Sequence, residues 1–207
     1  SMNRALAILV VSLATVSCGE QAETWRVSEL HFTASRSYDS GGGDWVKMDV
    51  EFTHGKSDRT ITIPAFWDGG DSFVGFDDKG ILHVGYYSSD DAAQLNIVNG
   101  VSFYPILIIN GKIVDDDMLV SGVNPRTAIG QRADGAVLML CIDGRQVHSI
   151  GGTYLDAAQV LYDHGAINAC NLDGGSSSVM YYNGGYVNSP SSASGISRYL
   201  PNAFLFK

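Results

Sequence analysis

The chain has 207 residues, of which 45% are hydrophobic and 17% charged, enough to bury a sizeable core and incompatible with wholesale disorder. Its 22 acidic and 13 basic residues give a net charge of −9, which argues against a nucleic-acid-binding surface, since such a surface needs clustered Lys and Arg. A membrane-spanning helix is not expected either, because no apolar run reaches about 18 residues.

Residues 1–18 read as an address. Asn3 and Arg4 precede the apolar stretch Ala5–Val16, and Ser17 and Cys18 follow. A basic start, an apolar run and a small residue before a cut describe a secretory signal. Thr15-Val16-Ser17-Cys18 resembles a bacterial lipobox, whose cysteine carries the lipid. The expectation is an exported protein, extracellular or held at the cell envelope, with a lipid anchor at Cys18; the alternative is that the stretch is a strand or helix of the fold. Outside the cytoplasm disulfides are permitted, so Cys141 and Cys170 either pair or remain buried free thiols within their apolar runs.

Residues 24–76 read as short strands. Val27, Leu30 and Phe32 lead into the glycine loop Ser40–Gly43. Trp45, Val46, Met48, Val50 and Phe52 then run to the turn His54–Ser57, and Ile61, Ile63, Ala65 and Trp67 alternate again. Period-two apolar runs between glycine-rich turns indicate antiparallel, sandwich-like sheet. Phe66, Trp67 and Asp68 are readable either as a sugar-stacking surface or, more simply, as core packing and a turn.

From residue 77 the pattern mixes helices and strands. Gly80–Tyr86 is an expected strand and Ser89–Asn96 a short helix capped by Ser89, with Asp90 and Asp91 at its positive end. Pro105–Ile109, Asn110-Gly111 and Lys112–Val114 form a hairpin, because Asn-Gly supplies the positive φ of a type I′ turn. Asp115–Asp117 reads as solvated loop, with a calcium site a distant second. Ala136–Ile142 is a strand, and Arg145–Ile150 its expected return. Thr153–His164 is the clearest helix, with Thr153 and Asp156 in capping-box positions and Gly165 as its stop. Ala166–Leu172 is the next strand, Val179–Tyr182 and Tyr186-Val187 flank another turn, and Ala203–Phe206 is expected to close the sheet.

Polar groups gather at the ends of these strands. Arg126 and Arg145 are permanent cations whose forked donors suit a phosphate or carboxylate. Gly174 and Gly175 allow close backbone approach and an anion-cradling run of N–H groups, beside the hydroxyls of Ser176, Ser177 and Ser178. Asp143 and Asp173 are carboxylates able to serve as base, nucleophile or acid, the usual pair for glycoside cleavage. Taken singly, each has a plainer reading: Asp143-Gly144 as a turn, Arg126 as a surface ion-pair member, the Gly-Ser run as a flexible loop. His148 and His164 lack partners at metal-ligand spacing and read as structural. No Gly-X-Ser-X-Gly elbow occurs, and the glycines match neither phosphate-loop nor dinucleotide spacing.

Several ordered strings carry a resemblance. These are Asn124–Gly130, Asp143-Gly144-Arg145-Gln146, Gly165–Ala169 running into Asn171–Ser178, Asn188-Ser189-Pro190-Ser191, and Pro201-Asn202-Ala203. Over about residues 79–207 the chain resembles the C-terminal part of the phosphodiester glycosidase family. The resemblance implies an active site lined by Arg126, Thr127, Asp143, Arg145, Asn171, Asp173 and the Gly174–Ser178 loop. Asn188 belongs to a matching string and joins the substrate-binding candidates. Ser176 stands where many members have a third glycine, and the Ile-Asn-Gly-Gly-Phe-Phe-like motif of the family's N-terminal half is not found. Trp25–Leu30, Val50–Gly55 and Pro64-Ala65-Phe66-Trp67-Asp68-Gly69-Gly70 instead resemble the immunoglobulin-like N-terminal domain of apiosidase-like glycoside hydrolases.

The resulting expectation is an α+β fold with a mixed or antiparallel sheet and packed helices over 77–207, preceded by an all-β, partial sandwich-like segment over 24–76. The expected activity is cleavage of a sugar–phosphodiester linkage, with arginines on the phosphate and an aspartate assisting attack, no cofactor and no metal. Its partner is a carbohydrate or glycosyl-phosphate substrate, and not a nucleic acid; oligomeric state is left open. The alternatives are a non-catalytic carbohydrate-binding or envelope module, and a truncated, inactive chimera.

Overall fold

The computed structural model describes residues 6–11, 24–34, 46–55, 63, 71–182, 184–200 and 202–206. Among the described residues all the strand pairs are antiparallel, and they form three sheets and one small hairpin. The central sheet has six strands: β1 (Leu6–Val11), β7 (Ile106–Ile109), β8 (Lys112–Ile113), β9 (Arg126–Arg132), β10 (Val137–Ile142) and β11 (Ala166–Leu172), in the spatial order β1-β10-β9-β11-β7-β8. β1 lies within the stretch read above as a leader. The rest of that stretch, Cys18 included, lies outside the described residues.

Alternation along these strands creates two apolar faces. Ala128, Leu138, Leu140, Ile142 and Ala169 point to one side, where helix α2 (Tyr154–Asp163) lays down Ala157, Ala158 and Leu161. Ile129, Val137 and Cys170 point to the other side. There they meet a second sheet, β5-β4-β6, built from β4 (Asp71–Asp77), β5 (Leu82–Tyr87) and β6 (Ile97–Ser102), through Val74, Phe76, Leu82 and Val84. Period-two burial on both sides of one sheet is what the near-continuous apolar runs Ile106–Ile109 and Val137–Ile142 require.

Local chemistry fixes the ends. Thr153 Oγ1 accepts from Asp156 N at 3.0 Å, and Asp156 Oδ2 accepts from Thr153 N at 2.8 Å, the reciprocal box expected from the sequence; Gly165, at φ 87°, ends α2. In the short helix α1 (Ser89–Gln94) the cap is Ser88, one residue before the serine expected, because Asp91 rather than Ala92 occupies the third helical position. Asn110 and Gly111 take φ 49° and 77°, as the β7–β8 turn demands. The Asn110 side chain also binds Ile63, accepting from its N–H and donating to its carbonyl, both at 2.9 Å.

Two expected strands differ. Arg145–Ile150 is a loop, since both edges of β10 are already occupied by β9 and β1 and no ladder remains for a return strand. The final strand β14 (Asn202–Phe206) does not close the central sheet. It pairs with β2 (Thr24–Ala34), which pairs with β3 (Val46–Gly55), and Phe204 meets Phe76 edge-on at 6.2 Å. β4 crosses the 76/77 point dividing the two segments, and the Pro64–Gly70 string lies outside the described residues. The expected turn at 183–185 appears as a hairpin of β12 (Tyr181–Tyr182) and β13 (Gly185–Tyr186).

Candidate active site

The antiparallel order brings the expected residues to one end of the central sheet. β9 begins where β10 and β11 finish: Arg126 pairs with Ile142, and Thr127 lies between Cys141 and Leu172. Asp143 and Asp173 are therefore the first residues beyond that end. The turn after β11 folds back on the approach to β9, with Gly175 N donating to Pro125 O at 2.9 Å. A Cβ at Gly174 would lie 2.7 Å from that same carbonyl, so glycine is required there for close chain-to-chain approach.

The two arginines do different things. Arg126 is buried, and its fork is turned onto the backbone: Nε donates to Gly152 O at 3.0 Å, and Nη2 donates to Gly122 O and, at 3.4 Å, to Ser121 O. Its guanidinium also lies 3.6 Å from the centroid of the Tyr154 ring. This side chain clamps two loops to the start of α2. Arg145 instead is exposed, at φ 57°, with Nη2 donating to Asn124 Oδ1 at 2.8 Å. Its guanidinium lies across Gly175, where a Cβ would stand 3.3 Å from both Nη atoms. Gly175 thus makes room for an arginine at the rim of an open cleft of about 770 Å³, lined by Arg145, Gln146, Tyr186, Asn188–Ala193 and Gly195.

Asp143 is only 6% exposed. Its Oδ1 accepts from Ser189 N at 2.9 Å and from Asn188 Nδ2 at 3.2 Å, while His148 Nε2 stands 3.4 Å from Oδ2. Asn188, also buried, donates to Ser178 O at 2.9 Å and accepts from Met180 N at 2.7 Å, tying the Gly-Ser turn to the aspartate. Asp173 is half-exposed and sits in a separate pairing: Arg198 Nη2 donates to its Oδ2 at 2.8 Å, and Arg198 Nε donates to Ser177 Oγ at 2.7 Å. Asn171 is buried, with Nδ2 donating to Tyr104 O and Leu172 O. Asn171 Oδ1 and Ser178 Oγ are buried without a hydrogen-bond partner. Ser176 is half-buried within the same turn.

Cys141 and Cys170 are both free and buried. Burial, with a smaller contribution from the Asp143 charge and against the Thr127 hydroxyl, pushes the Cys141 thiol up to about 12; burial raises Cys170 likewise. Neither is a nucleophile at neutral pH. Among the described residues no cluster of three His, Cys, Asp or Glu is placed to hold a metal, and no helix is long and apolar enough to cross a membrane.

Residues 49–207, more than half of the chain, match the family model described as phosphodiester glycosidase. The chain belongs to the phosphodiester glycosidase family. A second model, of a domain of unknown function, matches residues 21–76 and overlaps the first. Of the solved structures, the catalytic domain of zebrafish N-acetylglucosamine-1-phosphodiester alpha-N-acetylglucosaminidase, auto-inhibited by its pro-peptide, superimposes with a TM-score of 0.63 at 18% identity, over 100% of this chain and 84% of that one. At that identity it shows that the phosphodiester glycosidase fold is shared. A hypothetical protein from Synechocystis superimposes at a TM-score of 0.43 and 17% identity over 85% of this chain and 41% of that one. A curated relative, the SPbeta prophage-derived uncharacterized protein YomE of Bacillus subtilis (strain 168), is 45% identical over 65 residues, 31% of this chain. The chain spans about a tenth of the length of that relative.

Several residues that shape this candidate site lie outside the sequence motifs. Tyr154 and Arg198 carry no motif signal, as their partners lie 28 and 25 positions away. His148 is half-exposed, with Nε2 3.4 Å from Asp143 Oδ2. His164 Nδ1 lies 2.8 Å from Val160 O at the end of α2.

Proposed function

We propose that the chain hydrolyses a glycosyl phosphodiester, with Arg145 on the phosphate and Asp143 as the base. Membership of the phosphodiester glycosidase family carries this reading, and an exposed arginine on the cleft, with a buried carboxylate two residues away that is hydrogen-bonded to Asn188 and Ser189 of the cleft lining, supports it. Water attacks the anomeric carbon and the bond from that carbon to the phosphate oxygen breaks. The electron pair leaves with the phosphate monoester, and the water proton passes to Asp143 Oδ2. A phosphate monoester is a good leaving group, its second pKa being about 6, so no strong acid is needed on that side. What the reaction needs is a cation over the growing charge, which suits a forked guanidinium held by Asn124 at the cleft rim.

Arg126 is the positioning residue in this scheme, holding the 121–122 and 152 carbonyls so that Asn124 keeps its place. Asp173, Asn171 and Ser176 are the candidate contacts to the sugar. N-acetylglucosamine is the first sugar to try, since the zebrafish relative of the same fold is named for it. Arg145→Ala and Asp143→Asn, assayed for release of reducing sugar from an N-acetylglucosaminyl phosphodiester, are expected to lower kcat/KM by about a hundredfold or more each. Unchanged turnover in either variant removes that residue from its role. Export, read from residues 1–18, and a unit division near residue 76 belong to the same proposal. N-terminal mass analysis of the cell-made protein tests the first, and limited proteolysis the second.

A further inference from the structure

The Asp143 carboxylate is unevenly furnished. Oδ1 takes two N–H donors, from Ser189 and Asn188, whereas Oδ2 meets a single side chain, His148, whose Nε2 lies 3.4 Å away. The two partners differ sharply in exposure: the Asp143 side chain is 7% exposed and the His148 ring 47%. The loop that carries His148 is shaped without help from the ring. Arg145 opens it in the left-handed region, Gln146 and Ser149 exchange backbone hydrogen bonds at 2.9 and 3.2 Å, and Ser149 Oγ donates to Asp143 O at 2.6 Å. The ring is therefore delivered to Oδ2 by the backbone.

We propose that His148 is a positioning residue that gates Asp143. Protonated, it pins Oδ2 and withholds it from water; neutral, it releases Oδ2 to accept the proton. The proposal rests on the reading of Asp143 as the base. A cationic imidazole donates from both nitrogens and favours the ionised, occupied carboxylate, which weakens it as a base. A neutral imidazole carries no charge and a single donor. Histidine is the side chain whose charge ordinarily changes near neutral pH.

The other groups around the pair do not titrate there. Asn188, Ser189 and Ser149 are neutral, and the Cys141 thiol is held protonated. The Arg145 guanidinium is permanently charged and turned toward Asn124 and Gly175. Among the described residues His148 is thus the group whose charge can switch at Asp143.

Two measurements test this. The first is the pH dependence of kcat/KM on an N-acetylglucosaminyl phosphodiester for the wild type, His148→Gln and His148→Ala. Wild-type activity is expected to rise about tenfold through the histidine titration. Both variants are expected to lose that rise and to exceed the wild type severalfold on the acid side. A purely structural histidine would lower activity equally at every pH, and a wild-type-shaped profile in His148→Ala overturns the gate.

The second is the NMR titration of the His148 ring in the wild type and in Asp143→Asn. The two midpoints are expected to differ, because a carboxylate beside the ring favours its charged form and an amide does not. Coincident midpoints overturn the pairing, and if Asp143→Asn does not fold the pH profiles of the first measurement decide. Separated midpoints in a protein that turns over nothing support the pair and refute the substrate reading instead.

Discussion

Arg126 offers the clearest test of how this site is held together. Arg126→Ala removes hydrogen bonds to three backbone carbonyls, of Gly152, Gly122 and Ser121, and the contact with the Tyr154 ring. Hydrogen bonds to a charged donor contribute about 1.5–3 kcal/mol each, and a desolvated cation–π contact about 2 kcal/mol. These terms share one side chain and do not add in full, so the expected loss is about 3–5 kcal/mol, a large part of a typical folding free energy. At roughly 2–4 °C per kcal/mol for a chain of this size, the melting temperature falls by about 6–20 °C. Arg126→Lys keeps the charge but not the fork and is expected to recover less than half of that loss, since one ammonium cannot span both loops. Thermal and urea unfolding of Arg126→Ala, Arg126→Lys and Arg145→Ala together decide the matter. Arg145, exposed at the cleft rim, is expected to change stability by less than about 1 kcal/mol while costing activity. A melting temperature of Arg126→Ala within about 2 °C of the wild type would refute the clamp and return Arg126 to the phosphate.

Asn188→Ala is expected to destabilise by about 2–4 kcal/mol, because it strips a donor from buried Asp143 and leaves Met180 N and Ser178 O unpaired; urea unfolding measures this. At the end of β4, burial alone would raise the Asp77 carboxyl, but hydrogen bonds from His83 and from the Ile81 and Lys79 backbone hold it below its ordinary value. Its contribution to stability is therefore present above the unfolded value of about 3.9 and is lost as pH falls through the lower folded one, so His83→Ala should move acid unfolding to higher pH. An acid transition unmoved in His83→Ala would contradict this. Cys141 and Cys170 are expected to resist alkylation in the native protein at about pH 8 and to react on unfolding, read by peptide mass mapping.

Much of the fold was legible because local chemistry decided it. The Thr153–Asp156 box, the Asn110-Gly111 turn and the Ala166–Leu172 strand each follow from a few adjacent residues. What the sequence did not disclose was set by distant partners. β14 reads as one more strand, and nothing within Ala203–Phe206 says that it pairs with β2 rather than with the central sheet. Arg145–Ile150 fails as a strand because the edges of β10 are already taken.

The site divides in the same way. Asp143, Asn188, Gly174, Gly175 and Arg145 form linked contacts at one end of the sheet, while Arg126 turns to the backbone and Asp173 to Arg198. Residue type marks Arg126 and Arg145 as equal candidates for an anion. Only burial and hydrogen bonding separate the buried clamp from the exposed cation at the cleft rim. Gly174 and Gly175 do permit close approach, but what approaches is Pro125 O and the Arg145 guanidinium.

The account stands most directly on which bond is broken. Incubation of the protein with an N-acetylglucosaminyl phosphodiester in heavy-oxygen water, followed by mass analysis of both products, reads this in one experiment. Attack at the anomeric carbon predicts the heavy oxygen in the released sugar and none in the phosphate monoester. Heavy oxygen in the phosphate product, or no turnover at all, would contradict it.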